Sequence, residues 1–148
     1  STAIKDASNN TFAGISNTSS WNFTTTTDAT APVLQTAATN VAGTTITLTY
    51  NEALDTGSTP ATGDFSLMGT SNTISMVSVS GSTVVLTLSA AVNASDTLTL
   101  SYTQGTNKIR DAAQNNSANL TNQAVTNNTD TTAPVLQTAA TNVAGTTI

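Results

Sequence analysis

The sequence contains neither cysteine nor histidine, and charged and aromatic residues are scarce in it. Histidine and cysteine supply most general bases, thiol nucleophiles and transition-metal ligands, so their absence argues against an enzyme and against a zinc, iron or copper site. The absence of disulfides does not exclude export, since a domain of about 100 residues can form a core without them. We therefore expect a protein that is not an enzyme.

Charge and hydropathy exclude two further classes of partner. Charged residues make up 7% of the chain, and three basic residues face eight acidic ones, for a net charge of −5. Such a chain lacks the basic patch that binds nucleic acid. No apolar run approaches the roughly 20 residues that cross a bilayer as a helix, so we expect no membrane insertion in this segment.

A repeated segment dominates the organisation of the chain. Residues 132–148 (TAPVLQTAATNVAGTTI) copy residues 30–46 letter for letter, at an offset of 102 positions. This period is too long for a solenoid, whose repeats span roughly 20–50 residues, but it suits autonomous domains in tandem. We expect 28–129 to be a complete repeat, 1–27 the C-terminal loop and last strand of a preceding domain, and 130–148 the first strand or strands of the following repeat.

Short apolar alternation predicts an all-β fold. Threonine alternates with valine, leucine and isoleucine in segments such as Thr44–Tyr50 and Thr97–Tyr102, which directs Tyr50 and Tyr102 into the core. The alternation changes phase between Met76 and Val77, which predicts either a bulge or a bend between two short strands, and Gly81-Ser82 predicts a hairpin turn. The pattern is typical of an antiparallel β-sandwich of about seven strands. The predicted strands are 33–39, 44–50, 64–68, 73–80, 82–89, 96–103 and 120–127.

Several motifs resemble repeats of large bacterial surface proteins. The motifs are Asp130–Val135 (DTTAPV), Leu48–Asp55 (LTYNEALD) and Ile109–Asn115 (IRDAAQN). They are most similar to the repeat named after the cyanobacterial swimming-motility surface protein. Ile4–Asn10 (IKDASNN) and Trp21–Thr25 (WNFTT) resemble the end of the broader bacterial Ig-like family.

The resemblance implies an Ig-like sandwich, exported to the cell surface. We label the seven strands predicted from the alternation A, B, C, C′, E, F and G in chain order, so that 73–80 is strand C′. We therefore expect a non-catalytic structural repeat of a large extracellular or cell-surface protein, acting as a stalk, adhesin extender, fibre or surface-layer element. One residue departs from the family pattern, which usually places glycine where this sequence has Gln114.

The expected partners are neighbouring repeats of the same chain. Other copies would join in a fibre if the last strand of 1–27 paired with the first strand of 130–148. The alternative function is an adhesive module that binds glycan or protein through loops 51–63 and 104–119. An exposed aromatic cluster or a deep pocket at that end would favour this alternative.

Oxygen-bearing side chains are expected to gather at one end of the repeat. In an Ig-like topology, loops 51–63 and 104–119 lie together beside the start of the first strand, at the junction with the preceding domain. Ca²⁺ takes six to eight oxygen ligands, so we predict it as the cofactor that would stiffen this junction. The predicted ligands are Asp28, Glu52, Asp55, Asp111 and Asn115, with Asp130 replacing Asp28 at the next junction.

A second interpretation of these residues needs no ion. Asp28 and Asp111 would make Asx turns or cap backbone amides, while Glu52 would be solvated. The sequence alone leaves both interpretations open.

Overall fold

The computed structural model describes residues 4–12, 14 and 26–138. Each of the seven predicted strands is present, with bounds within two residues of the prediction. They are β1 (Leu34–Thr39), β2 (Thr45–Tyr50), β3 (Phe65–Met68), β4 (Ile74–Ser80), β5 (Thr83–Leu88), β6 (Leu98–Tyr102) and β7 (Leu120–Val125), with a 3₁₀ helix at Thr62–Asp64.

Two predicted segments lie outside the described residues. They are the last strand of 1–27, which contains Trp21 and Phe23, and residues 139–148 of the following repeat. The predicted strand pairing between these two ends therefore stays a prediction. Within the described part of the chain, no helix is long and apolar enough to span a membrane.

The strands form two antiparallel sheets, one in the order β1-β2-β5-β4 and the other in the order β3-β6-β7. This arrangement is that of a seven-stranded, constant-type Ig sandwich, so the predicted fold class is confirmed. The prediction of strand C′ for residues 73–80 is wrong, because β4 pairs with β5 in the first sheet and takes the place of strand D. The two-residue turn Gly81-Ser82 explains this placement, since so short a turn makes adjacent strands a hairpin.

The core lies between the sheets and is built by the alternating residues of three central strands. In β2, β5 and β6, every second side chain is buried, as the sequence pattern predicts. Tyr50 and Tyr102 are both in this core, and the Tyr102 ring packs against Phe65 with 4.9 Å between ring centroids. These inward-facing side chains are Ile46, Leu48, Tyr50, Val84, Leu86, Leu88, Leu98, Leu100 and Tyr102.

The bulge in β4 lies one position earlier than predicted. The register with β5 shifts between Ile74 and Met76, so Ser75 is the extra residue, and its Oγ donates to the carbonyl of Thr87 at 3.1 Å. Met76 is consequently 56% exposed although its side chain is apolar. The bulge restores the phase that directs Val77 and Val79 towards the core.

The two core tyrosines should respond differently to loss of their hydroxyl groups. The Tyr102 hydroxyl accepts a hydrogen bond from the Ile109 N–H at 3.0 Å. The buried Tyr50 hydroxyl lies near the Ser117 side chain but makes no hydrogen bond of good geometry to any described residue, because the Ser117 hydroxyl donates to the Ala118 carbonyl. Burial raises the pKa of Tyr50 to about 12. In urea unfolding, we expect Tyr102→Phe to lower the free energy of unfolding by about 1–2 kcal/mol and Tyr50→Phe to be neutral or stabilising. Equal losses in the two variants would contradict this assignment.

Candidate functional site

Two long loops meet at one end of the sandwich, beside the start of β1. The Asp55 N–H donates to the Arg110 carbonyl at 2.8 Å, and the Ser58 hydroxyl donates to the Lys108 carbonyl at 2.7 Å. The Asn51 N–H donates to the Val33 carbonyl at 3.1 Å. Loops 51–63 and 104–119 therefore share one end of the repeat, as predicted. We call this end the N-terminal pole.

Three carboxylates cluster at the N-terminal pole. One oxygen each of Asp28, Glu52 and Asp111 lies within 4.8 Å of the other two. Asp28 is exposed, Glu52 is half-buried and Asp111 is 3% exposed. Among residues 4–12, 14 and 26–138, the one ion pair joins Arg110 to Asp55, so no basic side chain neutralises this acidic cluster.

Hydrogen bonds within its own loop hold Asp111 in place. The Asn115 N–H donates to Asp111 Oδ1 and the Asn115 side-chain amide donates to Oδ2, both at 2.8 Å. Burial raises the pKa of Asp111, but these bonds and the backbone amides of Ala113 and Gln114 outweigh it and leave the pKa below its usual value. Asp111 is therefore ionised at neutral pH, and Asn115 also donates to the Asp28 carbonyl at 3.1 Å.

Glu52 is the least satisfied member of the acidic cluster. Its Oε1 is buried and accepts no hydrogen bond from any described residue. Burial raises the pKa of Glu52, and the nearby charges of Asp28 and Asp111 raise it further. A buried carboxylate oxygen without a partner is unfavourable unless a cation or donor compensates it. The interpretation in which Glu52 is simply solvated therefore does not describe this oxygen.

The local turns of the second interpretation are nevertheless present. Asp28 Oδ1 accepts the Thr30 N–H at 2.9 Å, and Asp111 accepts the amides of its own loop. A carboxylate oxygen has two lone pairs, so such a turn leaves capacity for a further donor or a metal ion. The observed turns are compatible with both interpretations.

Two predicted ligands lie outside the acidic cluster. Asp55 belongs to the same loop as Glu52, but its Oδ2 pairs with the Arg110 guanidinium at 3.0 Å, and its Oδ1 accepts the Gly57 N–H. Asp130 lies at the end of the repeat, where its Oδ1 accepts the Thr132 N–H at 2.8 Å. This Asx turn is the same as that of Asp28. No local pattern in the sequence indicates that Arg110 withdraws Asp55 from the cluster.

The loop that contains Asp111 keeps a glycine-like conformation without glycine. Gln114 has φ +72°, in the left-handed region that favours glycine. The Gln114 N–H donates to the Asp111 carbonyl at 3.2 Å, which closes the turn. Gln114 therefore adopts the backbone conformation that glycine favours.

The same loop occurs a second time near the start of the chain. Asn10 donates its backbone and side-chain N–H groups to the Asp6 carboxylate, both at 2.9 Å, as Asn115 does to Asp111. Asn9 has φ +68°, in the place of Gln114. The Asn10 side chain lowers the pKa of Asp6, as the equivalent bonds do for Asp111. The motif Ile-Lys/Arg-Asp-Ala therefore specifies one loop structure at both places.

The fold and this pole define a class of protein, the Ig-like β-sandwich repeat with an acidic pole. The chain belongs to the SWM_repeat family, described as a flagellar system-associated repeat, whose family model matches residues 27–107. No curated protein matches the chain.

A solved structure shares the fold. The chain is similar to the N-terminal part of the bacterial S-layer protein SbsC, with a TM-score of 0.56 and 16% sequence identity. The match covers 81% of this chain and 33% of that structure, so the chain spans about a third of its length.

Proposed function

We propose that this chain is a non-catalytic structural repeat of a large bacterial cell-surface or secreted protein, serving as a stalk, adhesin extender, fibre or surface-layer element. The similarity to part of an S-layer protein and the membership of a repeat family support the proposal. The absence of histidine and cysteine supports a non-catalytic role.

The path of the chain through the repeat carries the proposal. The chain arrives at the N-terminal pole, where Asp28 meets Asn115, and β1 then runs to the turn 40–44 at the opposite end. It leaves at that same opposite end, because the Asp130 N–H donates to the Val41 carbonyl at 3.0 Å. We call this end the C-terminal pole. A repeat with its two chain ends at opposite poles lengthens an array with every added copy.

We further propose that Ca²⁺ binds at the N-terminal pole and stiffens the junction with the preceding repeat. Asp28, Glu52 and Asp111 would supply carboxylate oxygens, and the Asn115 side-chain oxygen could add a neutral one. Oxygens that share one Ca²⁺ at 2.3–2.6 Å lie at most about 5 Å apart, which the 4.8 Å spacing of the acidic cluster satisfies. The unpartnered Glu52 Oε1 supports the same proposal.

Small-angle X-ray scattering of arrays with increasing numbers of repeats tests the extended architecture. We expect the maximum dimension to grow by a constant increment per repeat. If the repeats instead collapsed into one compact body, the radius of gyration would grow with about the 0.38 power of the chain length. This result would contradict the extended architecture. Antibody detection on intact cells and in the culture medium tests the location, and detection only after lysis would contradict a cell-surface or secreted protein.

A groove favours the adhesive alternative as a second candidate. It has a volume of about 430 Å³, lies between the start of β1 and β7, and includes Tyr50, Ser117 and Leu120 among its lining residues. The aromatic rings of the sandwich, those of Tyr50, Phe65 and Tyr102, are nevertheless buried rather than exposed. Glycan or peptide binding that Leu120→Asn abolishes and Glu52→Gln preserves would favour this alternative.

A further inference from the structure

The C-terminal pole holds the chain that leaves the repeat. The Asn128 N–H donates to Thr39 Oγ1 at 2.7 Å, and the Asn127 side-chain amide donates to the Asp96 carbonyl at 3.0 Å. The Asp130 N–H then donates to the Val41 carbonyl at 3.0 Å. Residues 127–130 are thus bonded to the body of the repeat and do not form a free linker.

Close packing at Gly43 reinforces this attachment. Gly43 has φ +69°, and a Cβ there would lie 2.9 Å from both Thr129 Oγ1 and the Val92 carbonyl oxygen. Only a residue without a side chain allows Thr129 to lie against the turn at this distance. The departing chain is therefore held by packing as well as by hydrogen bonds.

The N-terminal pole holds the arriving chain in the same way. The Asp28 carbonyl accepts the Asn115 side-chain amide at 3.1 Å. Pro32 is fully buried, and the Val33 N–H donates to Asn51 Oδ1 at 2.7 Å. The chain is therefore attached to the repeat from Asp28 onward.

Asp28 and Asp130 occupy the same position of the repeat. Both precede the copied segment by two residues, and both form the same Asx turn, to Thr30 and Thr132 respectively. The N–H of this aspartate bonds to the repeat before it, as Asp130 shows. Its carbonyl bonds to the repeat after it, as Asp28 shows.

From these two half-junctions we infer that successive repeats share this aspartate and have no free linker between them. The C-terminal pole of one repeat then docks directly on the N-terminal pole of the next, at a fixed tilt and rotation. The partner of each pole is a second copy of this repeat, and the inference rests on the proposed role in an array.

The docking also accounts for an exposed apolar side chain. Val41 is 69% exposed, and its carbonyl accepts the Asp130 N–H, so it lies next to the shared aspartate. The four Cα–Cα steps from Asp130 to Pro134, the equivalent of the buried Pro32, span at most about 14 Å, which keeps the poles of adjacent repeats together. The following repeat would therefore cover Val41.

A two-repeat protein with a natural junction can be made from this sequence. Residues 132–148 already copy 30–46, so appending residues 47–129 after Ile148 completes a second repeat without any foreign residue. The chain has no cysteine, and Ser78 is exposed on β4, so Ser78→Cys in both repeats gives two specific spin-label sites. We expect pulsed electron–electron double resonance to give one narrow distance peak in chelator, and we expect calcium to narrow this peak further.

The matched control inserts Gly-Ser-Gly between Asp130 and Thr131, which should broaden the distance distribution at least about twofold. The inference is overturned if the natural junction is as broad as the insertion while urea unfolding shows both repeats folded. It is also overturned if the peak is narrow only with calcium, since the ion would then fix the joint. A narrow peak in a protein that antibodies detect neither on intact cells nor in the culture medium would refute the proposed function and leave this inference intact.

Discussion

Replacing Gly69 with alanine should lower the free energy of unfolding by about 3 kcal/mol or more. Gly69 has φ +89°, and a Cβ at this position would overlap the carbonyl oxygen of Thr97. Thr97 directly precedes β6, and β6 pairs with β3 through Met68 and Thr99. The new methyl group would therefore strain the backbone of residue 69 and also push apart two paired strands.

Urea unfolding of Gly69→Ala measures this loss, and Gly63→Ala provides the matched control. A Cβ at Gly63 would meet no atom within 4 Å, and the φ of Gly63 is not positive, so alanine there should be neutral or slightly stabilising. Similar stabilities for the two variants would show that the segments around Gly69 and Thr97 can move apart without a loss of stability. That result would contradict the close packing of Gly69 against the Thr97 carbonyl.

The strands could be predicted because their signal is local. In β2, the alternation of Ile46, Leu48 and Tyr50 with threonine determines which face is buried without reference to any other strand. The same holds for β5 and β6. A sandwich needs one apolar face per strand, so period-two alternation carries most of the information about this fold.

Features that depend on pairing between distant segments are harder to predict. The position of Gly69 under Thr97 arises from the approach of two segments almost thirty residues apart, and no local pattern indicates it. The bulge at Ser75 is set by the register with β5, which the sequence of β4 alone does not contain. Sheet membership of β4 follows from its hairpin with β5.

The acidic pole could be predicted in outline but not in detail. Topology brings loops 51–63 and 104–119 together, so the approach of Glu52 to Asp111 follows from the order of strands. Asp55 lies outside the cluster because Arg110, in the facing loop, provides an ion-pair partner at 3.0 Å. Whether Asp55 pairs with Arg110 or binds an ion from solution depends on the direction of its side chain, which the order of residues in the sequence does not specify.

Calcium should raise the melting temperature of this chain, and a chelator should reverse the increase. Calcium at a hundred times its dissociation constant stabilises a folded state by about 2.7 kcal/mol, or roughly 10 °C or more in a domain of this size. Differential scanning calorimetry with calcium, with magnesium and with chelator measures the effect. Magnesium should give a much smaller shift, because it demands a tighter octahedral site. An unchanged midpoint would refute the calcium proposal and favour the interpretation based on turns alone.

Glu52→Gln should have opposite effects with and without calcium. The pKa of Glu52 is raised above its ordinary value of 4.5, by burial first and then by Asp28 and Asp111. Its ionisation therefore opposes folding: the penalty is absent below pH 4.5 and grows as pH rises through the folded-state pKa. In chelator at neutral pH, the variant should melt a few degrees higher than the natural chain, and this gain should vanish in acid.

With calcium the order should reverse, because the same carboxylate that destabilises the free protein would bind the ion. The natural chain should then melt well above Glu52→Gln, which should lose most of the calcium response. Asp55→Asn is the matched control, since Asp55 lies in the same loop but pairs with Arg110, so it should keep the full response. A Glu52→Gln variant that gains as much from calcium as the natural chain would remove Glu52 from the site, and a loss of response in both variants would indicate a loop effect instead of ligation.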